Sequence, residues 1–152
     1  MTDTSLLTDE IRALVGRTGE SAPVVVTPTA VRRAREVYFG TISPPPREGE
    51  EVEGVVVAAL ETGTGGVRVP DVMPNSVLIS NEWEFRRPLR VGDALTAQSR
   101  LADISERFGG QFGYGLYFRT EIELRDGTGE LVARTATTLM QYDARNARTD
   151  ER

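Results

Sequence analysis

QFGYGLYFRTEIELR, at residues 111–125, is the stretch of sequence that decides the fold of this chain. Apolar and polar side chains alternate along it: one face carries Phe112, Tyr114, Leu116, Phe118, Thr120, Ile122 and Leu124, and the other carries Gln111, Gly113, Tyr117, Arg119, Glu121 and Glu123. A period of two residues is typical of a β-strand with one buried face. The sequence DGTG at residues 126–129 predicts a hairpin turn, so residues 130–142 should return as an antiparallel strand.

Two more strands are predicted before this hairpin. Residues 77–87 alternate so that one face carries Ile79, Asn81, Trp83 and Phe85. After a turn at residues 88–93, the next strand directs inward Leu95, Ala97, Ser99 and Leu101. Ile104 then breaks the alternation, which predicts a β-bulge, and Gly109-Gly110 turns the chain back. The second half therefore predicts an antiparallel meander of long strands.

The first half contains helix signals. Residues 6–16 form a short amphipathic pattern that ends at a glycine. Thr27 followed by Pro28 predicts a helix start, because the hydroxyl can cap the first turn and proline is tolerated at its first position. Gly40 predicts that this helix ends at about Phe39.

The other segments of the first half are shorter or ambiguous. Residues 24–26 resemble a short strand, and residues 41–51 and 62–75 are predicted loops. The valine-rich residues 52–60 fit either a buried strand or a helix, and we favour a short buried helix. Helices early in the chain and a meander late in it predict the α+β class, with at least one helix against one sheet face.

Composition limits both the domain count and the chemistry. The chain has 152 residues, which fits one domain, and it carries 18 basic residues against 23 acidic ones. It has no His, Cys or Lys, so every basic residue is Arg. This excludes Cys and Ser–His nucleophiles, His or Cys zinc sites, Schiff bases and the phosphate-loop lysine. We therefore expect no metal and no other cofactor, a domain over residues 1–142, and a disordered polar tail over residues 143–152.

Charge and hydropathy also limit the partners. The net charge is −5 and the arginines are scattered, so we expect no nucleic-acid binding. No run approaches the roughly 20 apolar residues that cross a membrane, and the first residues do not resemble a secretion signal. We therefore expect a cytoplasmic protein without a membrane span.

The residues around the first predicted turn resemble a known family. NEWEFRRPLRVGDAL, at residues 81–95, is similar to the signature of MaoC-like dehydratases, in particular their N-terminal dehydratase domain class. The segments SRLADI at residues 99–104 and LVAR at residues 131–134 also resemble that class, as does the start of the chain through the helix at residues 27–39. The resemblance implies a single hot-dog fold, in which a long curved antiparallel sheet wraps around a central helix.

The resemblance also implies a reaction. Catalytic members of the family hydrate trans-2-enoyl thioesters, or dehydrate (R)-3-hydroxyacyl thioesters, on coenzyme A or an acyl carrier protein. They carry Asp and His in the pattern Asp-x-Asn-Pro-x-His after the first long helix. Aligned on Pro44, this chain has Thr41 at the Asp position, Ser43 at the Asn position and Pro46 at the His position. An alignment on Pro44-Pro45 deletes the motif altogether, so in neither case does a catalytic residue carry over.

Four residues of the predicted sheet are candidates for binding the acyl group: Asn81, Trp83, Tyr114 and Phe118. The aromatic ones are equally consistent with core packing, and the Asn81 amide could simply bond across the sheet. The arginines at positions 32, 33 and 35 fit a solvated helix face, or a surface that meets the phosphates of coenzyme A or an acidic carrier protein.

Three functional hypotheses follow. The first is a non-catalytic, acyl-thioester-accommodating subunit of a hydratase or dehydratase, paired with a catalytic hot-dog subunit. The second is a stand-alone homodimer that binds acyl-CoA or an acyl carrier protein thioester without chemistry. The third is a carboxylate-based thioesterase, whose candidate bases are Glu50, Glu51, Glu53, Glu61 and Asp71. The first three could instead simply cap the start of the predicted buried helix, where the helix dipole favours carboxylates.

Overall fold

A computed structural model describes residues 4–42, 44–60 and 66–148. Its helices are α1 (Asp9–Arg12), α2 (Pro28–Phe39) and two 3₁₀ helices (Gly54–Ala59 and Ala144–Asn146). Its strands are β1 (Ala22–Val25), β2 (Glu51–Val52), β3 (Asn75–Phe85), β4 (Leu89–Arg90), β5 (Ala94–Gly110), β6 (Gly113–Arg125) and β7 (Leu131–Tyr142). This arrangement confirms the predicted α+β class.

The four long strands form the antiparallel meander that the alternation predicts. They belong to a five-stranded sheet of order β1-β5-β6-β7-β3, and β2 and β4 form a separate two-stranded ribbon. The register shift between Leu101 and Asp103 in β5 is the bulge that the phase break at Ile104 predicts. β1 and β3 are therefore the two edges of the main sheet.

A second irregularity, in β3, corrects the predicted face of Ile79. The register with β7 shifts between Leu78 and Ser80, so Ile79 has no directly opposed residue. Opposed residues of antiparallel strands point to the same face, so Leu78, Asn81 and Trp83 share a face and Ile79 does not. Ile79 instead lines a groove with Tyr117, on the other side of the sheet.

Helix α2 begins and ends where the sequence predicts. The Thr27 hydroxyl accepts a hydrogen bond from the Ala30 amide, and Gly40 takes the left-handed conformation at φ 65°. Val31 and Ala34 are buried. The first predicted helix is shorter than its sequence pattern. The amphipathic pattern covers residues 6–16, but only the four residues of α1 are helical.

The valine-rich segment is helical and buried, but its helix is 3₁₀ rather than α. It begins at Gly54, and Val56 and Val57 are buried within it. Consecutive valines lose side-chain freedom in a helix, which weakens a regular α-helix at this point. This 3₁₀ helix and α2 pack together and cover one end of the curved sheet.

The concave face of the sheet carries two separate apolar clusters. The first joins α2 and the Gly54–Ala59 helix to sheet residues such as Leu95, Leu124 and Ala133. The second, at the other end, joins Leu7 to Leu101, Leu116 and Phe118. The helices and the N-terminal segment therefore each cover one end of the concave face.

The chain continues in contact with the sheet after β7. The Ala144–Asn146 helix lies inside the segment predicted as a disordered tail. The Ala144 amide donates to the Asn75 side chain at 3.0 Å, and the Arg148 amide donates to the Gln111 carbonyl at 2.8 Å. Residues 149–152 lie outside the described part of the chain.

Candidate functional site

A cavity of about 260 Å³ opens on the concave face, between the end of the Gly54–Ala59 helix and the edge strand β3. It is lined by Val57, Ala58, Leu60, Asn81, Trp83, Ile122, Leu124, Thr135 and Thr137. Strands β3, β6 and β7 supply its floor, because their inward side chains stand side by side in register. The lining is apolar except for one amide and two hydroxyls, as in sites for small apolar ligands.

Asn81 and Trp83, two of the four predicted binding residues, line this cavity. The Thr137 hydroxyl donates to the Asn81 side-chain oxygen at 2.9 Å. The amide nitrogen of Asn81 has no hydrogen-bond partner within the described residues. The side chain of Trp83 is 41% exposed, so it stands at the rim of the cavity rather than in the core.

Tyr114 and Phe118, the other two predicted binding residues, belong to the second apolar cluster and do not line the cavity. Phe118 is 1% exposed. The Tyr114 hydroxyl accepts the Leu6 amide at 3.0 Å and donates to Glu106 at 2.5 Å. Burial, together with the bond to Glu106, raises the pKa of Tyr114. These contacts hold the N-terminal segment against the sheet, which is a packing role.

Thr41, which the alignment on Pro44 matches to the family's catalytic Asp, carries no ionisable group. Thr41 lies just after α2, and its hydroxyl donates to the Phe39 carbonyl at 3.3 Å. Arg35, Phe39, Thr41 and Glu53 line a cavity of about 370 Å³. A neutral hydroxyl cannot replace a positioned acid or base, which contributes about 10²–10⁴-fold to a rate. Ser43, at the Asn position of the motif, lies outside the described residues.

Glu53, the carboxylate beside Thr41, is engaged by an arginine. Arg35 Nε lies 3.2 and 3.0 Å from the two Glu53 carboxylate oxygens. Partial burial alone would raise the pKa of Glu53, but the hydrogen bond and charge of Arg35 outweigh it and lower the pKa. A carboxylate held in its ionised form in this way is a weak general base at neutral pH.

Two of the other candidate carboxylates, Glu50 and Glu51, serve local structure. Glu50 accepts the Arg47 amide at 2.9 Å, and Glu51 pairs with Arg90 at 2.7 Å. Asp71 is exposed, and Glu61 lies outside the described residues. No group of three or more acidic side chains within the described part of the chain could hold a metal ion.

Two of the three arginines of α2 form ion pairs, and the solvated-face interpretation fits Arg32, whereas the Arg35 side chain is only 16% exposed. Arg32 pairs with Glu36 at 3.8 Å, and Arg35 pairs with Glu53. Exposed pairs of this kind contribute little to stability, but they neutralise the charge that a phosphate would meet.

The second half of the family-like signature forms a turn at residues 86–93, which its own hydrogen bonds stabilise. Asp93 accepts two hydrogen bonds from Arg87, at 2.9 and 3.3 Å, and a third from the Arg90 amide at 2.8 Å. Gly92 has φ 91°, a conformation that favours glycine. This turn of the signature therefore fixes the passage from β3 to β5, whereas Asn81 and Trp83, at the start of the signature, line the cavity.

Most of the cavity-lining residues are not among the binding residues predicted from the sequence. Thr135 and Thr137 alternate along β7, so their shared face could be predicted. Their position beside Asn81 could not, because it depends on the pairing of β3 with β7 and on the bulge at Ile79.

Comparisons with known proteins assign the family. A family model described as the FAS1-like dehydratase domain region matches residues 3–135. The chain belongs to this dehydratase family. Its fold is the hot-dog fold of the MaoC-like dehydratases, as the sequence resemblance predicts. No curated protein matches the sequence.

Solved structures share this dehydratase fold at low identity. The ChsH1–ChsH2 complex from Mycobacterium tuberculosis contains a chain that is 16% identical, with a TM-score of 0.66 over 93% of this chain and 90% of that one. The HadBC (3R)-hydroxyacyl-ACP dehydratase complex of the same organism gives 19% identity and a TM-score of 0.56, over 89% and 99%. The MaoC-like dehydratase from Rhodospirillum rubrum gives 18% and 0.54, over 89% and 94%.

None of the helices in the described ranges is long and apolar enough to cross a membrane.

Proposed function

We propose that this chain is the non-catalytic, acyl-thioester-accommodating subunit of an (R)-specific enoyl-thioester hydratase or 3-hydroxyacyl-thioester dehydratase. In this proposal a catalytic hot-dog subunit supplies the Asp and His. The observation that carries it is the family fold in a chain that has no His, with Thr41 at the Asp position in the alignment on Pro44. A mostly apolar cavity on the concave face supports the acyl-accommodating part of the proposal.

The open edge of the sheet supports the pairing part of the proposal. β3 has β7 on one side and no other strand beside it within the described residues. Several of its apolar side chains are at least 40% exposed: Val77, Leu78, Ile79 and Trp83. A long exposed apolar edge is an aggregation hazard unless another strand covers it. Two of the similar structures, ChsH1–ChsH2 and HadBC, are described as complexes of two proteins.

Co-purification with a hot-dog protein that has an intact Asp–His motif, encoded by a neighbouring gene, tests the proposal. We expect the mixture to hydrate crotonyl-CoA, measured by loss of enoyl absorbance, while this chain alone does not. If this chain alone hydrates enoyl thioesters at ordinary enzyme rates, or binds no acyl-CoA with or without that protein, the proposal is wrong.

A pair of matched variants tests whether β3 is the docking edge. Val77→Asp places a charge on the open edge, and Val25→Asp places the same charge on the opposite edge strand. The two valines are 40% and 49% exposed, so neither change disturbs a buried site. We expect only Val77→Asp to abolish co-purification with the catalytic subunit. Equal effects of the two variants would contradict docking at β3.

A stable homodimer that binds acyl-CoA and ignores the catalytic protein would support the stand-alone binder instead. Release of free thiol from acyl-CoA, abolished by Glu53→Gln, would support the thioesterase. The pairing of Glu53 with Arg35 argues against that third function.

A further inference from the structure

The last turn of α2 extends beyond the core and forms an exposed apolar surface. Val37, Tyr38 and Phe39 are 72%, 51% and 56% exposed, and Ile42, just after the helix, is 91% exposed. Successive residues of an α-helix point about 100° apart, so three exposed residues in a row leave more than half of the helix circumference uncovered. We call these four residues the α2 patch.

The composition of this turn does not fit a helix end that faces water. Such an end carries polar and preferably basic side chains, because cations stabilise the negative end of the helix dipole. Residues 36–39 include no Lys or Arg. The residues that pack α2 against the core are Val31 and Ala34, earlier in the helix. A contiguous exposed apolar surface of this kind marks an interaction site.

The α2 patch lies apart from the open edge at β3. The Gly54–Ala59 helix packs against α2, and the end of this 3₁₀ helix lines the cavity together with Asn81 and Trp83 of β3. The 3₁₀ helix therefore separates α2 from β3. A subunit that pairs along β3 leaves the α2 patch uncovered, so the patch needs an occupant of its own.

We infer that a second copy of this chain covers the α2 patch, in a twofold contact between the ends of the two α2 helices. A twofold contact joins the same surface of both copies, so that surface must complement itself. An apolar surface meets this requirement. Beside the patch, Arg32 pairs with Glu36. Arg35 pairs with Glu53. These pairs neutralise the nearest charges, so two copies can approach without repulsion.

The area of the α2 patch fits this occupant. From their exposed fractions, the four side chains present about 400–500 Å² of mostly apolar surface per copy. Two facing copies therefore bury about 800–1,000 Å² from these residues alone, and a specific interface needs about 1,000 Å². Pro44 and Pro45, which are exposed just beyond Ile42, add to this area. The contact is therefore large enough to hold two copies together.

This inference goes beyond the proposed function. A chain that binds a catalytic subunit at β3 and its own copy at α2 joins two catalytic subunits into one assembly of two copies of each protein. The contact at α2 does not require the catalytic subunit, so it is present in the isolated chain.

Sedimentation equilibrium of the full isolated chain at micromolar concentrations tests the inference. We expect a dimer, with a dissociation constant that rises at least about tenfold in Ile42→Arg and in Phe39→Arg. Ile42 is 91% exposed, so its substitution removes no buried contact. Phe108→Arg is the matched control, because Phe108 is 52% exposed and lies where β5 turns into β6. It should leave the dissociation constant unchanged, and circular dichroism should show that all three variants are folded.

Val77→Asp distinguishes the α2 patch from the edge at β3, and it should leave the dimer intact. The inference is overturned if the unaltered chain is a monomer over the whole range, or if Ile42→Arg and Phe39→Arg remain dimers as stable as the unaltered one. It is also overturned if Ile42→Arg blocks co-purification with the catalytic subunit, since that subunit would then cover the patch. The proposed function stands in each of these cases. If instead the dimer forms as expected and no catalytic subunit associates with it, the proposed function is wrong and this inference stands.

Discussion

Truncating Phe118 and Trp83 separately should distinguish core packing from ligand contact, the two roles that sequence could not separate for the aromatic residues. Phe118 is 1% exposed, and its neighbours in the second cluster, Leu101 and Leu116, are fully buried. Residues held on adjacent strands cannot collapse into the space left by the ring. We therefore expect Phe118→Ala to lower the free energy of unfolding by about 3–5 kcal/mol.

Trp83→Ala should behave differently. The side chain is 41% exposed and already borders an open cavity, so its removal creates little new void. Full burial of a large apolar side chain is worth about 1.5–3 kcal/mol, so partial burial gives a loss of about 1–2 kcal/mol. We expect acyl-CoA affinity to fall at least tenfold in this variant, because the ring forms one wall of the cavity.

Urea unfolding followed by circular dichroism measures the first quantity, and calorimetric titration with dodecanoyl-CoA measures the second. Tryptophan fluorescence cannot serve, because Trp83 is the single tryptophan. Phe118→Leu supplies a milder variant that remains folded, and its affinity should match that of the unaltered protein. The reasoning is refuted if Trp83→Ala costs as much stability as Phe118→Ala, or if Phe118→Leu loses affinity while Trp83→Ala keeps it.

Three further predictions concern the scaffold. Asp93→Asn should lower the free energy of unfolding by about 1–2 kcal/mol, because Arg87 loses a charged partner in a half-exposed turn, and should leave acyl-CoA affinity unchanged in a titration. Hydrogen bonding by Arg125 lowers the pKa of Glu123 below its usual value. The stability that ionised Glu123 gives the fold is therefore complete above the usual pKa and is lost as the pH falls through the lowered pKa. In urea melts across the acid range, the free energy of unfolding of Glu123→Gln should fall less steeply than that of the unaltered protein. Thr27→Ala should destabilise the protein by about 1 kcal/mol in thermal melts through loss of the α2 cap, and Thr27→Ser should restore most of it.

Much of the fold could be predicted from local signals in the sequence. The alternation at residues 111–125, the DGTG turn and the Thr27–Gly40 limits of α2 each depend on neighbours in sequence, and the structure confirms all three. The bulge at Ile79 could not be predicted in this way. It arises from the pairing of β3 with β7, strands that are separated by more than forty residues.

The candidate site was harder to predict for the same reason. Tyr114 and Phe118 share an alternating face with Ile122 and Leu124, yet only the latter pair reaches the cavity. The difference lies in what covers each end of the sheet: the N-terminal segment covers Tyr114, while the end of the Gly54–Ala59 helix leaves a space over Ile122. The alternation of residues along one strand does not show which other segment packs over each part of it.

β3 joins the two parts of the proposed function in one element. Asn81 and Trp83 form the wall of the cavity, and the same strand is the open edge at which a second sheet would pair. A subunit that pairs along β3 would therefore complete the cavity wall at Trp83. Docking and ligand binding should then be coupled: acyl-CoA should strengthen association with the catalytic subunit, and the subunit should raise acyl-CoA affinity by the same factor, since coupling free energies are reciprocal. Titrating each ligand in the presence and absence of the other measures this factor twice, and a factor of one would mean that the cavity and the edge are independent.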